Sequence, residues 1–356
     1  MNESKKRLAD GEETGLFAAA NSGRGFVSFY GEIFDRPAIS RRYLIKGGPG
    51  TGKSSLMRKI AAAARERGHS VRTYRCSSDP ESLDGVIVDG RIAVLDGTAP
   101  HAVEPTLAGA RDEIVNLGAF WDPEALAARY GEIEALHRKK EGAYRRAYRY
   151  LSAATELAAV ERELTAPYLL EKKMRDAVAR LLRSAPLGKG FELLPELQSA
   201  ISMRGQVRLN TYEQMAKRLY AIEDFFGIGS VFLSYLIEEA ERKRQPISVS
   251  YAPLMPDRPD GVLFRETGDC FLLGVSQERQ TEDRIRMRRF LDSAFPSREK
   301  GEIRANRRIA EALMEEAEAS LSMAGQIHGR LEAIYGACMD FERLERFSEK
   351  FCQSLF

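Results

Sequence analysis

The stretch YLIKGGPGTGKSSLMRKI, residues 43–60, places a glycine-rich turn between two apolar segments. Four of its residues fit GxxxxGK(S/T), the Walker A pattern, namely Gly47, Gly52, Lys53 and Ser54. Residues 42–45 are typical of a short buried strand, and residues 55–67 carry apolar side chains at helical spacing before Gly68. Strand, glycine-rich turn and helix in this order predict a phosphate-binding loop (P-loop) in an α/β domain.

The chemistry of a bound triphosphate explains why these residue types are needed. Glycines let backbone N–H groups approach phosphate oxygens, and the N-terminus of the following helix favours negative charge. Lys53 would bridge the β- and γ-phosphates and assist catalysis, and the Ser54 hydroxyl would ligate Mg²⁺. The predicted nucleotide-binding residues are Gly47, Gly48, Pro49, Gly50, Thr51, Gly52, Lys53, Ser54 and Ser55. We expect ATP and Mg²⁺ as the ligands.

The metal ion also needs a carboxylate at the end of a neighbouring strand, and residues 85–97 contain two aspartates. Asp89 precedes a glycine between two apolar runs, which indicates a hairpin turn of two residues. Asp96 follows an apolar run and is the candidate Walker B aspartate, with a catalytic and metal-binding role; an ordinary strand-end residue is the alternative. Gly97 follows it, where many ATPases carry a glutamate that activates water. The motif therefore supports nucleotide binding more firmly than hydrolysis.

Further polar residues follow the strands of this half. Asp79 lies in CSSDPESLDG, residues 76–85, at the expected carboxyl edge of the sheet, where ligands bind in doubly wound folds. It is a candidate catalytic residue, although Ser-Asp-Pro is also common turn chemistry. His101 is a candidate γ-phosphate sensor or base, with a solvated loop histidine as the alternative. Trp121 is interpreted as a packing residue.

A second stretch, YAIEDFFGIGSVFLSYLI at residues 220–237, matches the first without a gap. It keeps the apolar spacing and two glycines, but Ser230 and Val231 stand where the first copy has Lys53 and Ser54. The similarity continues downstream, where Asp96 falls opposite Gly274. The second copy thus lacks the cation, the hydroxyl and the carboxylate together, and we interpret it as a structural partner without a nucleotide.

The repeat predicts two tandem P-loop NTPase-like, doubly wound α/β domains, residues 1–190 and 191–356. Each should carry a helical hairpin or arm, and we expect the two halves to pack as a pseudo-dimer. The charged helical arms are a candidate surface for a protein partner, with internal packing as the alternative. The arginines at 284, 286, 288 and 289 are interpreted as a solvated helix face, with one arginine that reaches the phosphates of the first half as the alternative.

Composition narrows the class of protein. The 356 residues contain 54 basic and 52 acidic side chains, well mixed, so no electrostatic signature of nucleic-acid binding is present. The N-terminus lacks the apolar core of a signal peptide, and no apolar run is long enough for a membrane span. The four cysteines are scattered without metal-ligand spacing. A cytoplasmic protein without nucleic-acid or membrane partners is the prediction.

Several longer segments together resemble a little-characterised family of bacterial tandem P-loop ATPases. These segments are GFVSFY, YLIKGGPGTGKSSLMRKI, CSSDPESLDGV, and LDGTAPH followed by EIVNLGAFWD, and they cover most of residues 25–122. Members of that family usually carry a recognisable P-loop in both halves, and this chain departs from them at Ser230 and Val231. The resemblance implies ATP binding and hydrolysis but no physiological substrate.

Three functions are compatible with these patterns. The first is an Mg-ATP-binding P-loop NTPase that hydrolyses ATP slowly at one site in the first half. The second is a kinase that uses the same loop and transfers the γ-phosphate to a small molecule or nucleotide, with Asp79, Asp84 and His101 as candidates for the acceptor pocket. The third is a nucleotide-dependent module whose helical arms bind a protein.

Overall fold

The computed structural model describes residues 15–275 and 283–356 of the chain. The first half builds a six-stranded sheet whose strands, in spatial order, are β1 (Gly15–Phe17), β5 (Val71–Arg75), β6 (Leu83–Val88), β7 (Ile92–Asp96), β4 (Arg41–Lys46) and β8 (Asp112–Asn116). Only β6 is antiparallel to its neighbours in this sheet. The predicted α/β class is confirmed, with a mixed rather than purely parallel sheet.

The second half repeats this plan. Its strands, in the corresponding order, are β9 (Leu193–Glu196), β13 (Ile247–Tyr251), β14 (Pro259–Phe264), β15 (Asp269–Leu273), β12 (Arg218–Glu223) and β16 (Arg284–Arg286). The antiparallel strand is again the third, β14. The prediction of two similar halves is therefore confirmed at the level of strand order and direction.

Helices and two small hairpins complete the described part of the chain. The helices are α1 (Tyr30–Phe34), α2 (Lys53–Glu66), α3 (Pro123–Ala128), α4 (Tyr130–Thr165), α5 (Glu171–Leu181), α6 (Thr211–Met215), α7 (Gly229–Arg242), α8 (Ser297–Gly336) and α9 (Phe341–Leu355). The hairpins are β2 (Ala19–Ser22) with β3 (Gly25–Ser28), and β10 (Ser199–Ser202) with β11 (Gly205–Arg208). None of the helices in this part of the chain is both long and apolar enough to cross a membrane.

Local sequence explains the first strand–loop–helix unit. Helix α2 begins directly after Gly52, which adopts the left-handed φ of +83° that glycine tolerates. Leu56 and Ile60, four residues apart, are fully buried against the sheet. The helix ends before Gly68, whose φ of +81° is the usual left-handed helix stop. The predicted strand, turn and helix are confirmed as local structure.

The hairpin between β6 and β7 also follows the sequence. Asp89 and Gly90 have φ values of +49° and +65°, and the Arg91 N–H donates to the Val88 carbonyl at 3.0 Å. Two central residues with positive φ are the mark of a type I′ turn. The Asp89 carboxylate accepts hydrogen bonds from Ser70, at the opposite end of these strands from Asp96. Asp89 is a turn residue, as predicted.

Helices α4 and α8 lie side by side and run antiparallel across both halves. Leu136 of α4 packs on Leu331 of α8 near one end, and Ala147 packs near Ala317 in the middle. Near the other end Glu161 forms an ion pair with Arg307. The predicted helical segments thus pack on each other along their length instead of projecting as separate arms.

The chain exchanges its terminal helices between the halves. Helix α5 follows the first half, yet its Met174 and Val178 are buried in the core of the second half, together with Phe232. Helix α9 follows the second half, yet Leu344 is buried in the core of the first half beside α2. Residues 1–190 and 191–356 therefore share their two cores.

The junction between the halves has approximate two-fold symmetry. The Phe17 N–H donates to the Leu197 carbonyl at 2.8 Å, and the Leu197 N–H donates back to the Phe17 carbonyl at 3.0 Å. Both side chains are buried in one apolar cluster with Ala20 and Ala200. Since the paired residues are equivalent in the two halves, the repeat supplies its own complementary surface.

Two predictions about the second half are wrong. The run 284–289 is not a helix face: it forms strand β16 and a 3₁₀ turn, and Arg284 forms an ion pair with Glu223 on the neighbouring strand. The counterpart of Asp96 is Leu273 rather than Gly274, because Asp96 pairs with Ile45 in the first sheet as Leu273 pairs with Ile222 in the second. The apolar pattern of a single strand does not fix its register to within one residue. The pairing with the neighbouring strand is needed to do so.

Candidate functional site

The first loop, residues 47–54, is held in a tight turn at the end of β4. Gly50 and Gly52 both adopt left-handed φ values, +67° and +83°. The Thr51 hydroxyl donates to the Gly48 carbonyl at 2.8 Å and closes the turn from inside. Pro49 is partly buried within the turn, whereas Ser55 faces solvent on α2.

Lys53 lies at the centre of the first loop. Its Nζ donates to the carbonyl oxygens of Gly47 and Gly48 at 3.0 and 2.9 Å, and lies 3.6 Å from Asp96 Oδ2. The Lys53 and Asp96 side chains are only 14% and 15% exposed, so their attraction is little screened by solvent. The structure thus brings together the two residues that the sequence assigned to catalysis from separate motifs.

Ser54 and Asp96 are the predicted metal ligands. The Ser54 hydroxyl oxygen accepts a hydrogen bond from the Leu83 N–H at 2.9 Å, which leaves it a second lone pair. Asp96 Oδ1 accepts hydrogen bonds from the Thr98 N–H and hydroxyl at 2.8 and 2.5 Å, which leaves Oδ2 toward Lys53. A hydroxyl and a carboxylate suit the oxygen preference of Mg²⁺, which keeps several waters. Within the described residues no group of three or more His, Cys, Asp or Glu side chains forms a metal cluster.

The first loop is covered by the last helices of the second half. A Cβ atom added to Gly50 would lie 2.7 Å from the Glu332 carbonyl oxygen of α8, and one on Gly48 would lie 2.8 Å from the Tyr335 ring. Glycine at both positions therefore allows α8 to approach the loop backbone. No local pattern in the sequence indicates this cover, because α8 (Ser297–Gly336) is far from the first loop along the chain.

Asp79 is fixed in a turn that contacts the second half. Its Oδ2 accepts a hydrogen bond from the Ser82 hydroxyl at 2.8 Å, and its Oδ1 lies 3.3 Å from Arg204 Nε. The Met203 N–H also donates to the Ser78 carbonyl at 3.0 Å. Asp79 thus joins the two halves beside the first loop, in addition to its role as a turn residue.

The His101 side chain is only 5% exposed, so the alternative of a solvated loop histidine is wrong. Its Nε2 lies 3.1 Å from Asp84 Oδ2, and its ring stacks on Tyr30 at a centroid distance of 4.1 Å. His101 Nδ1 is buried without a hydrogen-bond partner among the described residues. Asp84 and His101 form a pair, but aromatic rings of Tyr30 and Phe26 enclose it.

Trp121 packs at the base of the long helices. Its ring lies 5.9 Å from the Tyr335 ring of α8, and its backbone pairs with Met339 between α8 and α9. The interpretation as a packing residue is confirmed by these contacts. It fixes the helix that covers the first loop.

A cluster of charged residues on the long helices faces the first loop and was missed from the sequence. Burial, together with the positive charges of Lys140 and Lys53, lowers the pKa of His328 to about 4. Burial also lowers the pKa of Lys140, and Lys53 contributes in the same direction. Burial and the charge of Asp79 raise the pKa of Glu332. No local motif marks these residues, because they meet only when α4 and α8 pack side by side.

The second loop, residues 224–231, is built differently. Asp224 Oδ1 accepts a hydrogen bond from the Gly229 N–H at 2.7 Å, and Oδ2 accepts one from the Gly227 N–H at 3.0 Å. A Cβ on Gly229 would lie 2.5 Å from the Leu273 side chain, which takes the place of Asp96. An internal carboxylate therefore occupies backbone donors of this loop.

Comparison of this chain with protein-family models, with curated proteins and with solved structures found no match.

Proposed function

We propose that the first half binds a nucleoside triphosphate, ATP with Mg²⁺, on residues 47–54 and hydrolyses it slowly. The observation that carries this proposal is the position of Lys53, whose ammonium group lies between the loop carbonyls and Asp96 at the start of α2. A loop of left-handed glycines before a helix N-terminus is suited to phosphate oxygens. The resemblance to tandem P-loop ATPases supports the same function.

Different residues of the site would bind different parts of Mg-ATP. The backbone N–H groups of the loop and Lys53 would bind the phosphates, while Ser54 and Asp96 would hold the metal. The metal ion, when bound, supplies positive charge that draws electrons from the phosphate oxygens. Hydrolysis breaks the bond between the γ-phosphorus and its bridging oxygen, and water supplies the new oxygen.

Slow turnover follows from the surroundings of the reacting water. The strand-end Asp96 is followed by Gly97, which has no side chain to take a proton. Asp79 is engaged with Ser82 and Arg204, and His101 with Asp84. Because the residues best suited to act as a base are already held in other contacts, general-base assistance of about 10²–10⁴-fold would be largely lost.

Two alternatives have less support. A kinase needs an acceptor pocket, but the rings of Tyr30 and Phe26 enclose the Asp84–His101 pair. A protein-binding module would use charged helical arms that project from the protein, but α4 and α8 pack on each other along their length. We therefore prefer hydrolysis to phosphate transfer and to protein binding.

Calorimetric titration with Mg-ATP, combined with phosphate release from γ-labelled ATP, tests the proposal. We expect one nucleotide per chain, and free phosphate as the labelled product even when a metabolite pool is added. Lys53→Ala should weaken binding by about 1.5–3 kcal/mol, the range for a hydrogen bond to a charged group. Ser230→Ala, at the equivalent position of the second loop, is the control and should bind ATP like the unmodified chain. Unchanged affinity in folded Lys53→Ala would disprove the proposal.

A further inference from the structure

Helix α4 presents a regular row of side chains toward the first half. His137, Lys140, Tyr144 and Tyr148 are spaced by three and four residues and therefore share one face of the helix. The Tyr148 hydroxyl donates to Asn21 Oδ1 at 3.0 Å, and the Tyr144 ring stacks on Tyr148 at 6.0 Å. Through the contact with Asn21, this face of α4 packs on the first half.

Lys140 belongs to this row and lies beside the first loop. Leu136, one turn before Lys140 on α4, packs on Leu331 of α8, which places Lys140 within reach of the charges of Lys53 and Glu332. Glu332, in turn, contacts Gly50 through its backbone. The three residues come from α2, α4 and α8, so they meet only where the two long helices cross the loop.

The positive charge of Lys140 is only partly offset by the protein, through the charges of its helix neighbour Glu141 and of Glu332. Within residues 15–275 and 283–356 it forms no ion pair or hydrogen bond, whereas Lys53 has Asp96 at 3.6 Å. Two partly buried ammonium groups that repel each other cost free energy unless an anion joins them. A multiply charged anion between Lys53 and Lys140 would remove this cost.

We propose that Lys140 contacts the phosphates of the nucleotide bound at Lys53, so that the long helices complete the nucleotide site. This inference rests on the proposed function, because the anion is the triphosphate of that site. A lysine supplied from another element would neutralise phosphate charge as a point charge. The paired helices α4 and α8 would then hold the ligand against the first loop.

The test compares two adjacent lysines of α4 by calorimetric titration with Mg-ATP. Lys140→Gln should weaken binding about tenfold or more, as expected for loss of a charge-assisted contact. Lys139→Gln is the matched control, since Lys139 is exposed on the same helix, and it should bind within about twofold of the unmodified chain. Lys140→Arg should retain most of the affinity, because it keeps the charge.

Thermal unfolding without nucleotide separates binding from folding. Removal of an unpaired cation near Lys53 should leave the melting temperature of Lys140→Gln unchanged or raise it, while the stabilisation by Mg-ATP should fall. Equal affinities for Lys140→Gln and Lys139→Gln would overturn this inference and leave the proposed function intact. No binding of Mg-ATP by the unmodified chain would overturn both.

Discussion

The two loops end equivalent strands of equivalent sheets, but the charged side chain that lies inside each loop differs in sign. Beside the first loop lie the cations Lys53 and Lys140. Beside the second loop lies the carboxylate of Asp224, and Glu161 of α4, which forms an ion pair with Arg307, approaches Gly227. The same backbone plan therefore favours an added anion in one half and repels it in the other.

The second loop keeps its fold because its anion is part of the chain. Asp224 accepts hydrogen bonds from two N–H groups that could otherwise donate to a phosphate. Because this carboxylate belongs to the same chain, its effective concentration at the loop is high. Leu273 fills the place of Asp96 with an apolar side chain. The second loop thus differs from the first in the groups that satisfy its polar atoms, in addition to having Ser230 at the position of Lys53.

The largest expected effect tests the second loop as a structural element. Leu233 is fully buried under it, whereas Ile237, one turn later, is only partly buried. Leu233→Ala should lower the free energy of unfolding by about 2–5 kcal/mol, and Ile237→Ala by clearly less. Urea unfolding measures both. The affinity of the folded fraction for Mg-ATP should remain unchanged.

A strong loss of ATP affinity in folded Leu233→Ala would contradict the separation between site and scaffold. A cost for Ile237→Ala as large as that for Leu233→Ala would show that α7 packs in a different rotation. The apolar spacing alone equated Ile237 with the fully buried Ile60, and the burial of the two side chains corrects that expectation.

A smaller effect is expected for the carboxylate inside the second loop. Asp224→Ala removes hydrogen bonds to the N–H groups of Gly227 and Gly229, and should cost about 0.5–2 kcal/mol, as for a lost helix cap. Asp224→Asn keeps one acceptor oxygen and should cost less. Chemical unfolding of the unmodified chain, Asp224→Asn and Asp224→Ala gives the order of their free energies of unfolding.

The stoichiometry of Mg-ATP should remain one per chain in Asp224→Ala. Leu273 still provides no carboxylate, and Phe225 and Phe226 still pack within the loop. If a second nucleotide binds to this variant, then Asp224 alone keeps the second loop free of nucleotide, and the remaining substitutions are not needed for its inactivity.

Local sequence predicted the elements that depend on short-range physics. The turn at Asp89 and the helix stop at Gly68 follow from residues that adopt left-handed φ readily. The register of β15 was wrong by one residue, because an apolar strand flanked by apolar strands has little to fix it. Asp224 could have been identified, since it is an acid aligned with Gly47 in a loop that lost its lysine.

The exchange of terminal helices could not be predicted in the same way. Helices α5 and α9 each have one apolar face, and such a face fits the core of either half equally well. The choice depends on the length and direction of α4 and α8, which carry the chain from one half to the other. Lys140 and His328 approach the first loop for the same reason. Nothing in the sequence of these charged helices distinguishes the two residues from their neighbours.

The smallest expected effect is proton uptake on nucleotide binding, and it tests the comparison of charge between the two loops. The groups that face His328 are Lys53 on α2, His137 and Lys140 on α4, Asp79 after β5, and Glu332 on α8. Because burial and the neighbouring cations lower its pKa to about 4, His328 is neutral near pH 6. A bound triphosphate would favour its charged form and raise this pKa. Binding of Mg-ATP should therefore take up protons between pH 4 and about 6.5, the usual histidine pKa.

The sign of this linkage can be measured by calorimetry near pH 5.5 in two buffers with different ionisation enthalpies. The unmodified chain should take up more protons on binding than His328→Gln, and its affinity should rise as the pH falls, by at most about tenfold per pH unit for one proton. His69→Gln is the control, because His69 pairs with Asp89 at the far end of the sheet. Proton exchange by the nucleotide itself is common to all three proteins and cancels in the difference. Equal proton uptake by His328→Gln and His69→Gln would mean that the anion does not reach α8, so that the long helices cover the first loop without contacting its ligand.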